Sequence, residues 1–130
     1  TGDAYFATCG TIRPYLDHAA RSVSFVLDVR DLVRDLGDED RAVSMSAGID
    51  SGAVTVGLTG GWNAVSDAWG STVQRAADLA RRGGQDDVWI SAAVRSQLPS
   101  RFLTEEEAGS VDSPGAANVS GRTSDGERVR

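Results

Sequence analysis

Residues 60–82 read Gly-Gly-Trp-Asn-Ala-Val-Ser-Asp-Ala-Trp-Gly-Ser-Thr-Val-Gln-Arg-Ala-Ala-Asp-Leu-Ala-Arg-Arg, and the rest of the chain is organised around them. The stretch opens on a glycine pair and Trp62, passes the acid Asp67 and a Trp69-Gly70 step, and then turns helical. Ser71 is predicted as the N-cap, because its hydroxyl can accept a bond from the first free backbone N–H groups. Val73, Ala76, Ala77 and Ala80 then recur at helical spacing, and Gly83-Gly84 stops the helix. A glycine-rich loop feeding a helix start suits an anion, since free N–H groups and the positive end of the dipole point outward there.

Immediately upstream, Val43, Met45, Ala47 and Ile49 alternate with Ser44, Ser46, Gly48 and Asp50, the period of a strand with one buried face. Asp50-Ser51-Gly52 supplies turn residues, and Val54, Val56 and Leu58 continue the alternation. These runs predict a hairpin that delivers residues 60–70 as a loop. Further upstream, residues 4–9 carry strand-forming aromatics and end at Gly10, as the second arm of a hairpin would. Pro14 marks a helix start. Ala19, Val23, Val26, Val29, Val33 and Leu36 follow Leu16 in steps of three and four up to Gly37. Asp17, Arg21, Asp28, Arg30, Asp31, Arg34 and Asp35 form its solvated face.

Downstream, Val88-Trp89-Ile90 is a short apolar run, and Ser91 caps a short helix that reaches about Leu98 before Pro99. From Thr104 the composition turns to Glu, Gly, Ser, Asp and Arg, with Asn118-Val119-Ser120 as a weak edge strand. The domain division is therefore residues 1–103 as the folded unit and 104–130 as a polar segment, weak strand or irregular. Strands and helices in this order predict an α/β architecture.

At 130 residues the chain is one small domain, large enough for a core. Its formal net charge of −6 disfavours nucleic acid or an anionic membrane surface as a partner. One cysteine, Cys9, excludes an internal disulfide and fits a reducing compartment such as the cytoplasm. His18, the one histidine, makes no metal site by itself. No apolar run is long enough to span a bilayer, so no direct membrane contact is expected.

Asp67-Ala68-Trp69-Gly70-Ser71-Thr72-Val73 resembles the Asp-x-Trp-Gly-x-x-Val-Asn-x-Ala-x-Arg signature of the class III nucleotidyl cyclases, the adenylate and guanylate cyclase catalytic domain. Gly2-Asp3-Ala4-Tyr5 is similar to that family's Gly-Asp-x-Tyr hairpin, and Gly48-Ile49-Asp50-Ser51-Gly52 to its Gly-Ile-x-x-Gly strand turn. The motifs keep the family's order and correspond to the C-terminal two-thirds of its domain. The chain begins at Thr1 within the hairpin, so a fragment of a longer protein is expected. The resemblance implies a ferredoxin-like sheet with helices packed on one face, lacking the N-terminal strand and helices.

It also implies a chemistry. A cyclase aims a ribose 3′-hydroxyl at the α-phosphate and neutralises charge developing there and on departing pyrophosphate, work suited to two divalent ions and a cation. By resemblance, Asp3 is one of two metal-holding aspartates for Mg²⁺ or Mn²⁺, the other lying on a strand upstream of Thr1. Asp67, with Trp69 and Gly70, belongs to the substrate-binding segment, where an acid reads the exocyclic amine of adenine and favours ATP. Gln74 stands where the family has the ribose-orienting Asn. Asp78 stands where it has the Arg that stabilises the transition state, and is the clearest departure. Arg75 or Arg81 are the nearby cations for that role.

Three readings follow. The first is an adenylate cyclase domain that makes cyclic AMP and pyrophosphate in intracellular signalling, working as a homodimer or as a heterodimer with another cyclase domain. The second is a degenerate cyclase homology domain serving as a nucleotide-binding, regulatory or dimerising module, favoured by Gln74 and Asp78. The third is a plain α/β interaction domain. Catalysis by this chain alone is not expected.

Overall fold

The computed structural model describes residues 3–59, 65–106 and 115–122. In chain order the elements are α1 (His18–Leu36), β1 (Ala47–Ile49), β2 (Thr55–Thr59), β3 (Val65–Trp69), α2 (Ser71–Arg82), β4 (Val88–Ile90), α3 (Ala92–Gln97), β5 (Phe102–Glu106) and β6 (Ala117–Arg122). Four strands form a sheet in the order β1-β4-β6-β5, and β2 and β3 form a separate antiparallel ribbon. Within the sheet β1 runs parallel to β4, while β6 is antiparallel to both β4 and β5.

Alternation along the strands decides where the core lies. Ile49, Val88, Ile90, Ala117 and Val119 share one face and pack with Ala19, Ala20, Val23 and Leu27 of α1 and Val94 of α3. Gly48 turns to the other side of β1, where a side chain would meet the backbone of Ala76 and Ala80. The backbone of α2 therefore lies directly on β1, a spacing only glycine allows. No helix among the described residues is long and apolar enough to cross a membrane.

Several sequence expectations need correction. The hairpin of residues 43–58 does not form. Ala47 donates to the Asp87 carbonyl and Ser91 to that of Ile49, tying β1 to β4, while β2 pairs with β3. A parallel partner requires a crossover, and α2 supplies it. The strand also begins at Ala47 rather than Val43, because Asp86 takes the backbone of Met45: its N–H donates to the Met45 carbonyl at 2.7 Å, and its carboxylate accepts the Met45 N–H. Residues 4–9 form no strand, since none of the described strands lies beside them to complete a ladder. Tyr5 and Phe6 are exposed as a result.

Helix α1 begins at His18, four residues after Pro14, and ends before Gly37 as expected. Its N-cap is Asp17, whose carboxylate makes no capping bond and instead accepts from Arg21 Nε at 2.8 Å. That hydrogen bond is the main reason the Asp17 carboxyl is held below its ordinary range.

Arg30 leaves the solvated face assigned to it. It is buried, and its guanidinium donates to the carbonyls of Val119 and Ser120 at 3.5 and 3.3 Å. Asn118-Val119-Ser120, expected as a weak edge strand, belong to β6, which runs inside the sheet between β4 and β5. Buried Ala117 and Val119 alternate with polar residues, which is why the segment reads as polar overall. Replacing Arg30 by Met keeps the buried stem and removes the donors. We expect a loss of about 1–3 kcal/mol, the usual cost of leaving buried carbonyls unpaired, read as a lower urea midpoint at unchanged slope.

Candidate functional site

The site is built on the β2–β3 ribbon and the helix that follows it. Residues 65–69, expected as loop, are strand, in register with β2 so that Asp67 faces Gly57 and Trp69 faces Thr55. The Trp69 ring lies across Gly57, where a Cβ would stand 2.5 Å from its Cη2. Trp69 keeps 46% of its surface exposed. Asp67 is exposed too, and one of its carboxylate oxygens accepts the Ala68 N–H at 2.9 Å. Gly60, Gly61 and Trp62 of the expected anion loop lie outside the described residues, as does Gly2 of the Gly-Asp-x-Tyr motif.

Gly70 joins β3 to α2 at φ 131°, a conformation that side chains rarely adopt, and it occupies the N-cap. Ser71 is thus the first helical residue rather than the cap, and no side chain caps this helix. The neighbouring hydroxyl is used elsewhere: Thr72 Oγ1 donates to the Ala53 carbonyl at 2.8 Å. Helix α2 then ends before Gly83, where the sequence placed its stop.

Gln74 and Asp78 are both exposed and, four residues apart, share one face of α2. Gln74 N–H donates to the Gly70 carbonyl at 3.2 Å, which fastens the first turn. Asp78 pairs with Arg81 at 2.6 Å, both side chains being largely exposed. Arg75 pairs with Asp50 at 2.7 Å, and the Asp50 side chain is only 1% exposed. Both cations named as stand-ins for the Arg position are therefore engaged within the chain. The Arg81 pair is the looser, since an exposed pair is worth at most about 1 kcal/mol.

The structure thus brings Asp67, Trp69, Gly70, Gln74 and Asp78 together along one continuous strand-to-helix segment. Asp3 is exposed, in a turn near the start of the chain. Among the described residues no group of three or more His, Cys, Asp or Glu side chains could hold a metal ion. One aspartate does not fit a two-ion site, and no step through a metal follows from these residues. Sequence reasoning missed Asp50, read only as a turn residue. The 25-residue separation from Arg75 carries no local pattern that could have revealed the pair.

The sequence matches the profile of the adenylate and guanylate cyclase catalytic domain over residues 1–125. No curated protein matches it. The fold is similar to the guanylate cyclase domain of RhGC from Catenaria anguillulae in complex with GTP, at TM-score 0.77 and 24% identity over 88% of this chain and 65% of that one. A non-canonical dimeric guanylyl cyclase domain of the RhoGC fusion protein from the aquatic fungus Blastocladiella emersonii aligns at TM-score 0.79, 23% identity, 88% of this chain and 65% of that. The catalytic core of a rhodopsin-guanylyl cyclase with converted specificity, in complex with ATPalphaS, aligns at TM-score 0.72, 24% identity, 87% and 64%. The chain spans less than two thirds of each of these domains, and at such identities the likeness is one of fold. The cyclase-type α/β architecture read from the motifs is the one observed, but the helices are not all on one face as expected: α1 and α3 cover the Ile49 side of the sheet and α2 the Gly48 side of β1. By the match over residues 1–125, the chain belongs to the adenylate and guanylate cyclase catalytic domain family.

Proposed function

We propose that this domain binds ATP as a cyclase homology module, with nucleotide recognition kept and turnover lost at the site that its own α2 lines. The observation that carries this reading is Asp78, an exposed carboxylate at the family's Arg position, one helical turn from Gln74 and paired with Arg81. Negative charge must build on the phosphates in the transition state, so an anion there raises the barrier. Losing even one aligned donor costs on the order of 10²-fold in rate. Asp67 supports adenine over guanine, because a carboxylate accepts the exocyclic amine of adenine, whereas guanine presents a carbonyl oxygen at the equivalent edge.

Asp3 is proposed as one Mg²⁺ or Mn²⁺ ligand, which becomes useful only with a second carboxylate beside it. A homodimer, or a heterodimer with another cyclase domain carrying the Asn and Arg, is the arrangement in which the two halves meet. The free thiol of Cys9 suits a cytoplasmic setting.

The test is titration of a fluorescent ATP analogue and its GTP counterpart in Mn²⁺ buffer, with cyclic nucleotide formation assayed on the same protein. The expected result is saturable binding that favours ATP, weakened by Asp67→Ala, with no cyclic AMP above background. Cyclic AMP formation that Asp3→Ala abolishes would show an active adenylate cyclase instead. Equal binding of the two nucleotides would remove the adenine assignment.

A further inference from the structure

We propose that Asp50 and Arg75 are positioning residues that set the nucleotide face of α2 against β3, an inference that rests on the proposed function. The turn between β1 and β2 is fastened to two helices by side chains. Arg75 Nε donates to Asp50 Oδ2 at 2.7 Å, and the other oxygen of this buried carboxylate accepts the Ser51 N–H at 2.8 Å. Thr72, itself buried, donates to the Ala53 carbonyl, and Gln97 of α3 donates to the Ser51 hydroxyl at 3.2 Å. Gly52 fits between them, for a Cβ there would stand 2.7 Å from Thr72 Oγ1.

The chemistry of the pair separates it from the surface ion pairs of the same protein. Asp50 is almost wholly removed from water, and its two carboxylate oxygens are satisfied by Arg75 Nε and the Ser51 N–H. Arg75 is half exposed, yet its Nε is directed inward, which fixes the planar guanidinium and the helix turn that carries it. Gln74 is the preceding residue and Asp78 lies one turn on. Covalently, α2 follows β3 through Gly70 alone, and a glycine at positive φ has no side chain with which to hold the helix direction. The turn at 50–53 supplies that hold from outside. This pairing also occupies the inner edge of Arg75, which leaves the role of the missing Arg unfilled.

The decisive experiment compares Asp50→Asn and Arg75→Met with the unmodified chain by amide exchange and by binding of the fluorescent ATP analogue. Asn keeps the size of Asp50 and an acceptor for Ser51 while removing the charge. Exchange at the Gln74 amide is expected to quicken about tenfold or more, while amides of β4 and β6 stay slow. Affinity for the analogue is expected to fall about tenfold. If Arg75→Met does not fold, Arg75→Lys keeps a cation beside Asp50 and loses only the directed Nε bond, and the same selective quickening is expected. Unchanged Gln74 exchange, or quickening spread evenly over the sheet, would overturn the positioning role, the latter because it marks a general loss of stability. An unmodified chain that binds neither nucleotide sinks the proposed function, while the exchange comparison still decides the clamp.

Discussion

Gly48→Ala is expected to unfold this domain or leave it without fixed tertiary packing. The added methyl would overlap the Ala76 carbonyl and the Ala80 amide, both backbone atoms of a regular helix, which cannot swing aside as a side-chain tip can. Overpacking costs about 1–3 kcal/mol where neighbours can adjust, and more where they cannot. A total stability of roughly 5–15 kcal/mol leaves little margin in a chain of this size. Gly121→Ala in β6 is the matched control, because nothing lies within 4 Å of the position its methyl would take. Thermal melts should show a near-normal transition for Gly121→Ala and a lost or much lowered one for Gly48→Ala. Equal melting temperatures for the two would mean that α2 does not rest on β1 as described.

The second large effect concerns binding. Asp78→Arg exchanges an anion for a cation on the face of α2 that also carries Gln74, and so reverses the field that an approaching triphosphate meets. Each unit charge at about 5 Å is worth roughly 1–2 kcal/mol in a half-solvated setting, and salt reduces it further. Two unit charges change, so affinity for the fluorescent ATP analogue is expected to rise about thirtyfold or more at low salt, with a smaller gain of about five- to thirtyfold for Asp78→Asn. The gain should shrink as salt is raised. Loss of the exposed pair with Arg81 costs little in stability. An affinity indifferent to the charge at this position would place the phosphates elsewhere and remove the main support for the proposed function.

What could be read from the residues was mostly local. Helix α2 was legible through its apolar spacing and its terminal glycines, and α3 through Ser91, whose hydroxyl does accept the Val94 N–H. The site segment was legible as a motif, because Asp67, Trp69 and Gly70 are consecutive or nearly so. Pairing partners were not. An alternating run such as residues 43–49 states that one face is buried, but not which strand lies beside it, and the partner of β1 turned out to lie some forty residues downstream in β4. The same limit hid β6, whose buried positions are only Ala117 and Val119 among polar neighbours. Arg30 was misread for a related reason: charge favours solvent unless distant carbonyls satisfy it, and those of Val119 and Ser120 are supplied by the far end of the fold. Asp50 and Arg75 escaped notice in the same way.

The interior place of β6 also governs how the chain must acquire its shape. Arg30 meets Val119 across 89 residues of sequence and Arg122 meets Ser24 across 98, so the entropy of closing very long loops is spent before these contacts form. Early in folding α1 can coil on its own, yet its apolar face has only half a sheet to cover until β6 inserts between β4 and β5. Such non-local topology folds slowly. During synthesis the emerging chain must keep Val23, Leu27 and Ile90 from neighbouring molecules until Ala117 and Val119 have left the ribosome, which makes the interval before β6 arrives the period of greatest aggregation risk.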